Sequence, residues 1–282
     1  MGKKIFKLLE ELKPKFINQA KLKGYDQTSL EKIWKDWEAF AAYAFNKSHS
    51  TCYSVVAYQT GYLKANYPAE YMAAVLTHNQ NNTDKVTFFM EECRNQNIVV
   101  LGPDVNESDQ HFTVNSAGEI RFGLGAIKGT GEAAVQAIVA ERKDEPFKDL
   151  FDFAVRENLR AVNKKSFEAL AKAGSFDCFP AYHRRQYVEP DMEGSSLIER
   201  AISYANKVQQ EALSAQGSLF GGRENKGLSK PKVGEVAPYG EIEKLNIEKD
   251  LVGLYISGHP LDQYKFEMRF LTKGKISDLK DL

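Results

Sequence analysis

Leu30, Ile33, Trp34, Trp37, Ala41 and Ala44 recur at intervals of three and four residues. That period lays one apolar stripe along a helix and does not fit a strand, whose side chains alternate every two residues. Thr28-x-x-Glu31 just ahead reads as a capping box. At this spacing Trp34 and Trp37 read as core rather than as base-stacking residues. The pattern extends both ways. Residues 3–23 set lysines among Ile5, Leu8, Leu9, Leu12 and Phe16, with an interruption expected near Pro14 and a stop at Gly24-Tyr25-Asp26. Downstream, Ser50 is the expected N-cap of a helix bearing Cys52, Val55, Val56, Tyr62 and Leu63. Pro68 opens the next helix, which runs through Met72, Val75 and Leu76 to Asn82. Thr83 caps another with Val86, Phe89, Met90 and Cys93. Residues 1–96 therefore read as a helical array without strands.

After that the period changes. Ile98 to Leu101 reads as a short strand, and His111–Val114 with Glu119–Phe122 as a hairpin turning at Asn115-Ser-Ala-Gly118. Lys128-Gly129-Thr130-Gly131 leads into a helix with Ala134, Val135, Ile138 and Val139. A short helix is expected from Phe147 to Val155. Asn163 caps one bearing Phe167 and Leu170, ended by Ala173-Gly174. Residues 181–193 look irregular, Ser195 or Ser196 starts a helix to about Ala212, and 214–240 reads as a mobile linker rich in Gly, Ser, Lys and Pro. Glu241 to Tyr255 is a further helix, broken at Ser257-Gly258-His259-Pro260. The expected fold is mainly α with a small β-hairpin.

Charge and cysteine content narrow the function classes. Lys and Arg number 38, as do Asp and Glu, so the net charge is +0 and any pull toward nucleic acid must be local. Cys52, Cys93 and Cys178 stand far apart with no CxxC pair, which argues for reduced thiols in a cytoplasmic setting, without a zinc site. The N-terminus lacks an apolar signal core, and no run approaches the roughly 18 apolar residues a membrane span requires, so no membrane role is expected. No Asp-x-Asp pair lies on a convincing strand, the histidines lack metal-ligand spacing, and there is no GxSxG or P-loop. Catalytic residues and metal ligands are therefore expected to be absent.

Three stretches carry chemistry. Asn46-Lys47-Ser48-His49 places a lysine and a donor-rich run ahead of a helix N-terminus, which suits an anion, although an ordinary capped connection between helices would look similar. Gly129-Thr130-Gly131 allows close backbone approach to a phosphate before a helix, as a helix-hairpin-helix element does; an interhelical turn is the plainer reading. Arg156, Arg160, Lys164, Lys165, Lys172, Arg184 and Arg185 outnumber Glu157, Glu168 and Asp177 in the following segment, a local basic surface or a solvated charged face. Lys172-Ala173-Gly174-Ser175, set against Lys128-Gly129-Thr130-Gly131, suggests two related units. In Gln216-Gly-Ser-Leu219-Phe220, an apolar pair sits in polar sequence with no core to serve, which suits docking into a partner's pocket or folding back on the chain itself.

Phe45-Asn-Lys-Ser-His-Ser50, Tyr58-Gln-Thr60, Leu63-Lys64, Tyr67-Pro-Ala-Glu70, Phe122-Gly-Leu-Gly-Ala-Ile-Lys-Gly129 and Gly253-Leu-Tyr-Ile-Ser-Gly-His-Pro260 together resemble the bacterial DNA polymerase III alpha family of C-family replicative polymerases. The resemblance runs in order over nearly the whole chain. It implies the C-terminal part of the fingers at 1–110 and a tandem helix-hairpin-helix domain at 111–180. A helix and flexible linker would follow at 181–240, then a connector toward an OB domain at 241–282. By resemblance, Asn46, Lys47, Ser48, His49 and Tyr53 face the incoming dNTP. Lys128, Gly129, Thr130, Gly131, Lys164 and Lys165 lie on duplex primer-template DNA, and Gln216, Leu219 and Phe220 form a motif for the sliding clamp (the beta subunit). Other replicase subunits are implied partners. Mg²⁺ would serve the parent enzyme from a palm domain this chain lacks, leaving the chain alone inactive. A self-contained, non-enzymatic helix-hairpin-helix DNA-binding or scaffold protein remains the competing reading, with a DNA-repair nuclease behind it.

Overall fold

The three- and four-residue apolar spacing pairs helices in the first of two units. Here α1 (Phe6–Leu22) packs on α2 (Gln27–Tyr43). Leu9 and Trp34 are buried at their seam with Phe16 against them, the Phe16 and Trp34 ring centroids 5.4 Å apart. Trp34 Nε1 donates to Glu38 Oε1 at 2.8 Å, satisfying the one polar atom the indole buries. Trp37 also joins Phe16, at 4.9 Å, but keeps an exposed edge. α1 runs through Pro14 without a break, because packing before it at Leu9 and after it at Phe16 holds both halves on α2. The cap of α2 is Asp26, whose Oδ2 accepts from Ser29 N–H at 2.9 Å; this replaces the expected Thr28 box.

The computed structural model describes residues 6–43, 46–216 and 229–271, divided between the units Met1–Asn66 and Tyr67–Leu282. Ala44 and the first five residues lie outside that set. The first unit also holds α3 (Lys47–Asn66), a 20-residue helix with no buried residue. Its expected apolar positions Val55, Val56, Tyr62 and Leu63 are all exposed.

In the second unit α4 (Pro68–Asn79) packs on α5 (Thr83–Asn95) through Met72, Leu76, Val86, Met90 and Cys93. α4 ends three residues before the expected Asn82, which instead caps α5: its Oδ1 accepts from Lys85 N–H at 3.1 Å, so Thr83 is the first helical residue and not the cap. The expected hairpin forms between β2 (Thr113–Val114) and β3 (Ile120–Arg121), and gains a parallel third strand, β1 (Val100–Leu101), on the other side of β3. Val100 pairs with Ile120, and Thr113 with Arg121. Asn115 Oδ1 accepts from the amides of Ala117 at 3.0 Å and Glu119 at 2.9 Å, which closes the hairpin turn.

The remaining helices are α6 (Glu132–Glu141), α7 (Leu150–Arg156), α8 (Lys164–Ala173), α9 (Arg184–Val188), α10 (Leu197–Gln216), α11 (Glu241–Val252) and α12 (Lys265–Phe270). All but α12, which buries no residue, contribute to an aromatic core. Phe153 meets both Phe167 and Phe176 at centroid distances of 5.1 Å, edge to face. Asn163 caps α8, accepting from Ser166 N–H at 3.1 Å, and Gly174 at φ 91° ends it. α9 occupies the stretch that looked irregular: His183 and Gln186 form its reciprocal capping box.

The described parts of the expected linker are held in place. α10 runs on to Gln216, and 229–239 is tied down: Lys230 pairs with Asp149, Arg200 Nη1 donates to Lys232 O at 2.8 Å, and His183 Nε2 to Val236 O at 2.9 Å. Among the described residues no helix is long and apolar enough to cross a membrane.

Candidate nucleic-acid interface

The Asn46–His49 run is the opening of α3 rather than a loop ahead of it. Asn46 Oδ1 accepts from His49 N–H at 3.2 Å, so Asn46 does the capping that the sequence suggested for Ser50, whose own N–H is already bonded to Asn46 O at 2.9 Å. Asn46 precedes Ser50 as cap because its short amide reaches back to the third helical residue, as a cap side chain must. Lys47 and Ser48 therefore occupy the first turn, where unpaired amides and the helix dipole present positive charge. The His49 and Tyr53 rings stack with centroids 4.3 Å apart, one turn apart on the same face. The five residues thus form one exposed, anion-suited helix start.

In the second unit a 3-10 turn over Leu124–Ala126 leads into Ile127–Gly131 and then α6. Gly129 (φ 97°) and Gly131 (φ 76°) both adopt left-handed backbone, which side-chain-bearing residues disfavour. Between them Thr130 is buried. Its hydroxyl lies 2.8 Å from Ile127 O and 3.1 Å from Leu124 O, and its carbonyl accepts from Ser166 Oγ at 3.0 Å. The Thr130 side chain thus secures the turn from inside, and the exposed surface is the glycine backbone with the first turn of α6. The first helical bond there is Val135 N–H to Gly131 O, so the amides from Glu132 to Ala134 lack helical acceptors. The Glu132 carboxylate, the acidic group in that turn, accepts from Gln136 Nε2 at 3.1 Å.

The six residues expected on duplex DNA divide. Lys165 is exposed and close to the turn, since a β-carbon on Gly129 would stand 3.8 Å from Lys165 Cε. Lys164 sits beside it, but its ammonium is 2.8 Å from Glu199 Oε1 and 3.7 Å from Glu168. The Lys128 ammonium donates to Asp250 O at 3.2 Å.

The broader basic surface is also dispersed. The Arg156 guanidinium engages Glu141, Asp152 and the carbonyls of Pro146, Glu141 and Glu145. Arg184 is buried between Asp177 and Glu248. The expected second hairpin, Lys172–Ser175, is the C-terminal end of α8. The Gly174 and Ser175 amides are bonded to Ala171 O and Leu170 O, and a β-carbon on Gly174 would collide with the Arg184 guanidinium. A helix end of this kind offers carbonyls and no free amides.

The turn that does lead into a helix N-terminus is Asn158–Asn163, between α7 and α8. There Asn158 Oδ1 accepts from Arg160 N–H at 3.0 Å and Arg160 is exposed. Sequence patterns alone did not single it out; the Asn two residues before an Arg, ahead of the Asn163 cap, is the signal that marks it. Of the clamp residues, Gln216 ends α10, while Leu219 and Phe220 lie outside the described residues. Among the described residues no cluster of three or more His, Cys, Asp or Glu is placed to hold a metal ion.

The helix-hairpin-helix motif family matches residues 97–187, which contain both turns. Over 99% of its length the chain is 40% identical to DNA polymerase III subunit alpha of Pseudomonas aeruginosa, covering 25% of that protein. It is 41% identical to the same subunit of Deinococcus radiodurans, covering 20%, and 38% identical to that of Aquifex aeolicus, covering 22%. The chain thus spans about a quarter of the length of the curated relatives it matches. With that similarity running from end to end, the chain belongs to the DNA polymerase III subunit alpha family.

Proposed function

We propose that this chain is the part of a replicative DNA polymerase that touches incoming-nucleotide phosphates, grips primer-template duplex and tethers the enzyme to its sliding clamp. In the parent reaction a primer 3′-hydroxyl attacks the α-phosphate of a dNTP. By resemblance the Mg²⁺ of that reaction is held by the palm of the parent enzyme, and on that reading the chain by itself is proposed not to polymerise.

The duplex grip rests on one observation above all: two left-handed glycines present the free amides of a helix start beside exposed Lys165. Amides and a lysine bind phosphates without reading base sequence. The Asn158–Asn163 turn with Arg160 supports a second backbone contact, in place of Lys172–Ser175. The nucleotide role belongs to Asn46, Lys47, Ser48, His49 and Tyr53 on the exposed start of α3. The clamp role belongs to Gln216, Leu219 and Phe220. The proposed partition remains fingers for 1–110, hairpin domain for 111–180, clamp segment for 181–240 and connector for 241–282, in a cytoplasmic replicase.

Titration of a short duplex at several salt concentrations tests the grip. Removing one cation that neutralises a phosphate lowers the slope of log affinity against log salt by about 0.9. Lys165→Ala is expected to lower the slope by about that amount; an unchanged slope and affinity would remove Lys165 from the interface.

A further inference from the structure

Lys128 sits at the mouth of the glycine turn, yet its amide and its ammonium each bond a carbonyl of another element. Its amide donates to Leu251 O at 3.0 Å and its ammonium to Asp250 O at 3.2 Å. These carbonyls belong to the last turn of α11, where a helix leaves acceptors unpaired and favours a cation. α11 is itself fixed. Buried Glu248 accepts from Arg184 Nη1 at 2.6 Å through one oxygen, and from the amides of Ile256 and Ser257, both at 3.0 Å, through the other. On the far side of Gly129, Ser166 of α8 holds Thr130 O. The turn is therefore gripped before Gly129 by α11 and after it by α8.

We propose that Lys128 is a positioning residue rather than a phosphate contact: it fastens the Ile127–Gly131 turn to α11 and so couples duplex binding to the docking of the 249–257 segment. The inference rests on the reading of Gly129–Gly131 as a duplex contact. If the turn takes its phosphate-ready shape only when Lys128 is seated on α11, then duplex bound at the turn must stabilise that seat by the same factor.

Two measurements on the whole chain decide it. In Lys128→Met, which keeps the amide and loses the ammonium, duplex Kd is expected to rise about two- to tenfold, as for loss of one ordinary solvent-exposed hydrogen bond. The salt slope should match that of the unsubstituted chain, whereas Lys165→Ala lowers it. A slope lowered in Lys128→Met as much as in Lys165→Ala would put the ammonium on a phosphate and overturn the proposal; so would an unchanged Kd. In hydrogen exchange, a short duplex is expected to slow the amides of Gly253, Ile256 and Ser257 in the unsubstituted chain and to slow them less in Lys128→Met. Equal exchange with and without duplex overturns the coupling even if Lys165→Ala behaves as expected, leaving the duplex grip intact. If Lys165→Ala and Lys128→Met both leave duplex binding unaltered, the grip itself is wrong and the coupling falls with it.

Discussion

Arg184 Nη1 donates to Glu248 Oε1 across 2.6 Å, and Glu248 is wholly buried. The same guanidinium holds Asp177 through Nε and Nη2. The other Glu248 oxygen takes two amides from the chain beyond α11. One buried carboxylate thus joins α9, α11 and the Gly253–Ser257 segment. Burial alone would raise its pKa, but the bonds from Ser257 and the Arg184 charge outweigh that and hold it below the ordinary carboxylate value. Its contribution to stability is therefore fully present above the ordinary Glu range and is lost as pH falls through the lowered pKa. Glu248→Ala leaves Arg184 with Asp177 alone and orphans two amides. We expect a loss of about 3 kcal/mol in urea unfolding; a loss below about 1 kcal/mol would contradict the clasp.

Glu157, at the end of α7, behaves in the opposite sense. Burial, helped by Glu141, pushes its carboxyl up to about 7, and Oε1 has no hydrogen-bond partner. Arg156 acts against the rise, and Gln209 of α10 donates to the Glu157 carbonyl at 3.2 Å. The folded chain keeps a proton that the unfolded chain releases near the ordinary Glu value. Stability should therefore decline as pH rises from about 4.5 to about 7, by at most about 3 kcal/mol. Glu157→Gln should flatten that decline in thermal melts taken across the range. An identical slope in the variant would show that Glu157 is not its source.

Leu219→Ala combined with Phe220→Ala is expected to abolish binding to a sliding clamp while leaving duplex affinity within about twofold, because an apolar pair carries such a docking motif. Calorimetric titration of the clamp into the whole chain provides the readout. Retained clamp affinity would refute the motif.

Lys47→Ala in a full-length polymerase is expected to raise KM for dNTP, lower kcat, or both, since a cation at a helix start stabilises the triphosphate. Unaltered steady-state kinetics would take Lys47 out of the site. In the same assay this chain alone is expected to leave primers unextended with Mg²⁺ present; extension would overturn the division of labour proposed for it.

What is legible in the sequence is local. Helix periods at Leu30–Trp37, the Asn163 cap, the Gly174 stop and the Gly129–Gly131 turn depend on residues within one or two turns of each other, and each appears where its pattern lies. The caps at Asp26, Asn46 and Asn82 lie one to four positions from where the patterns put them, because several polar residues compete for each. The fate of the charges is not legible. Lys164 finds Glu199 35 residues away, Arg184 finds Glu248 64 away, and Lys128 finds Asp250 122 away. Which lysine is left for a phosphate depends on which carboxylates and carbonyls the fold brings beside it. Sequence alone determines a residue's charge; only tertiary packing decides whether that charge faces DNA or is spent holding the protein together.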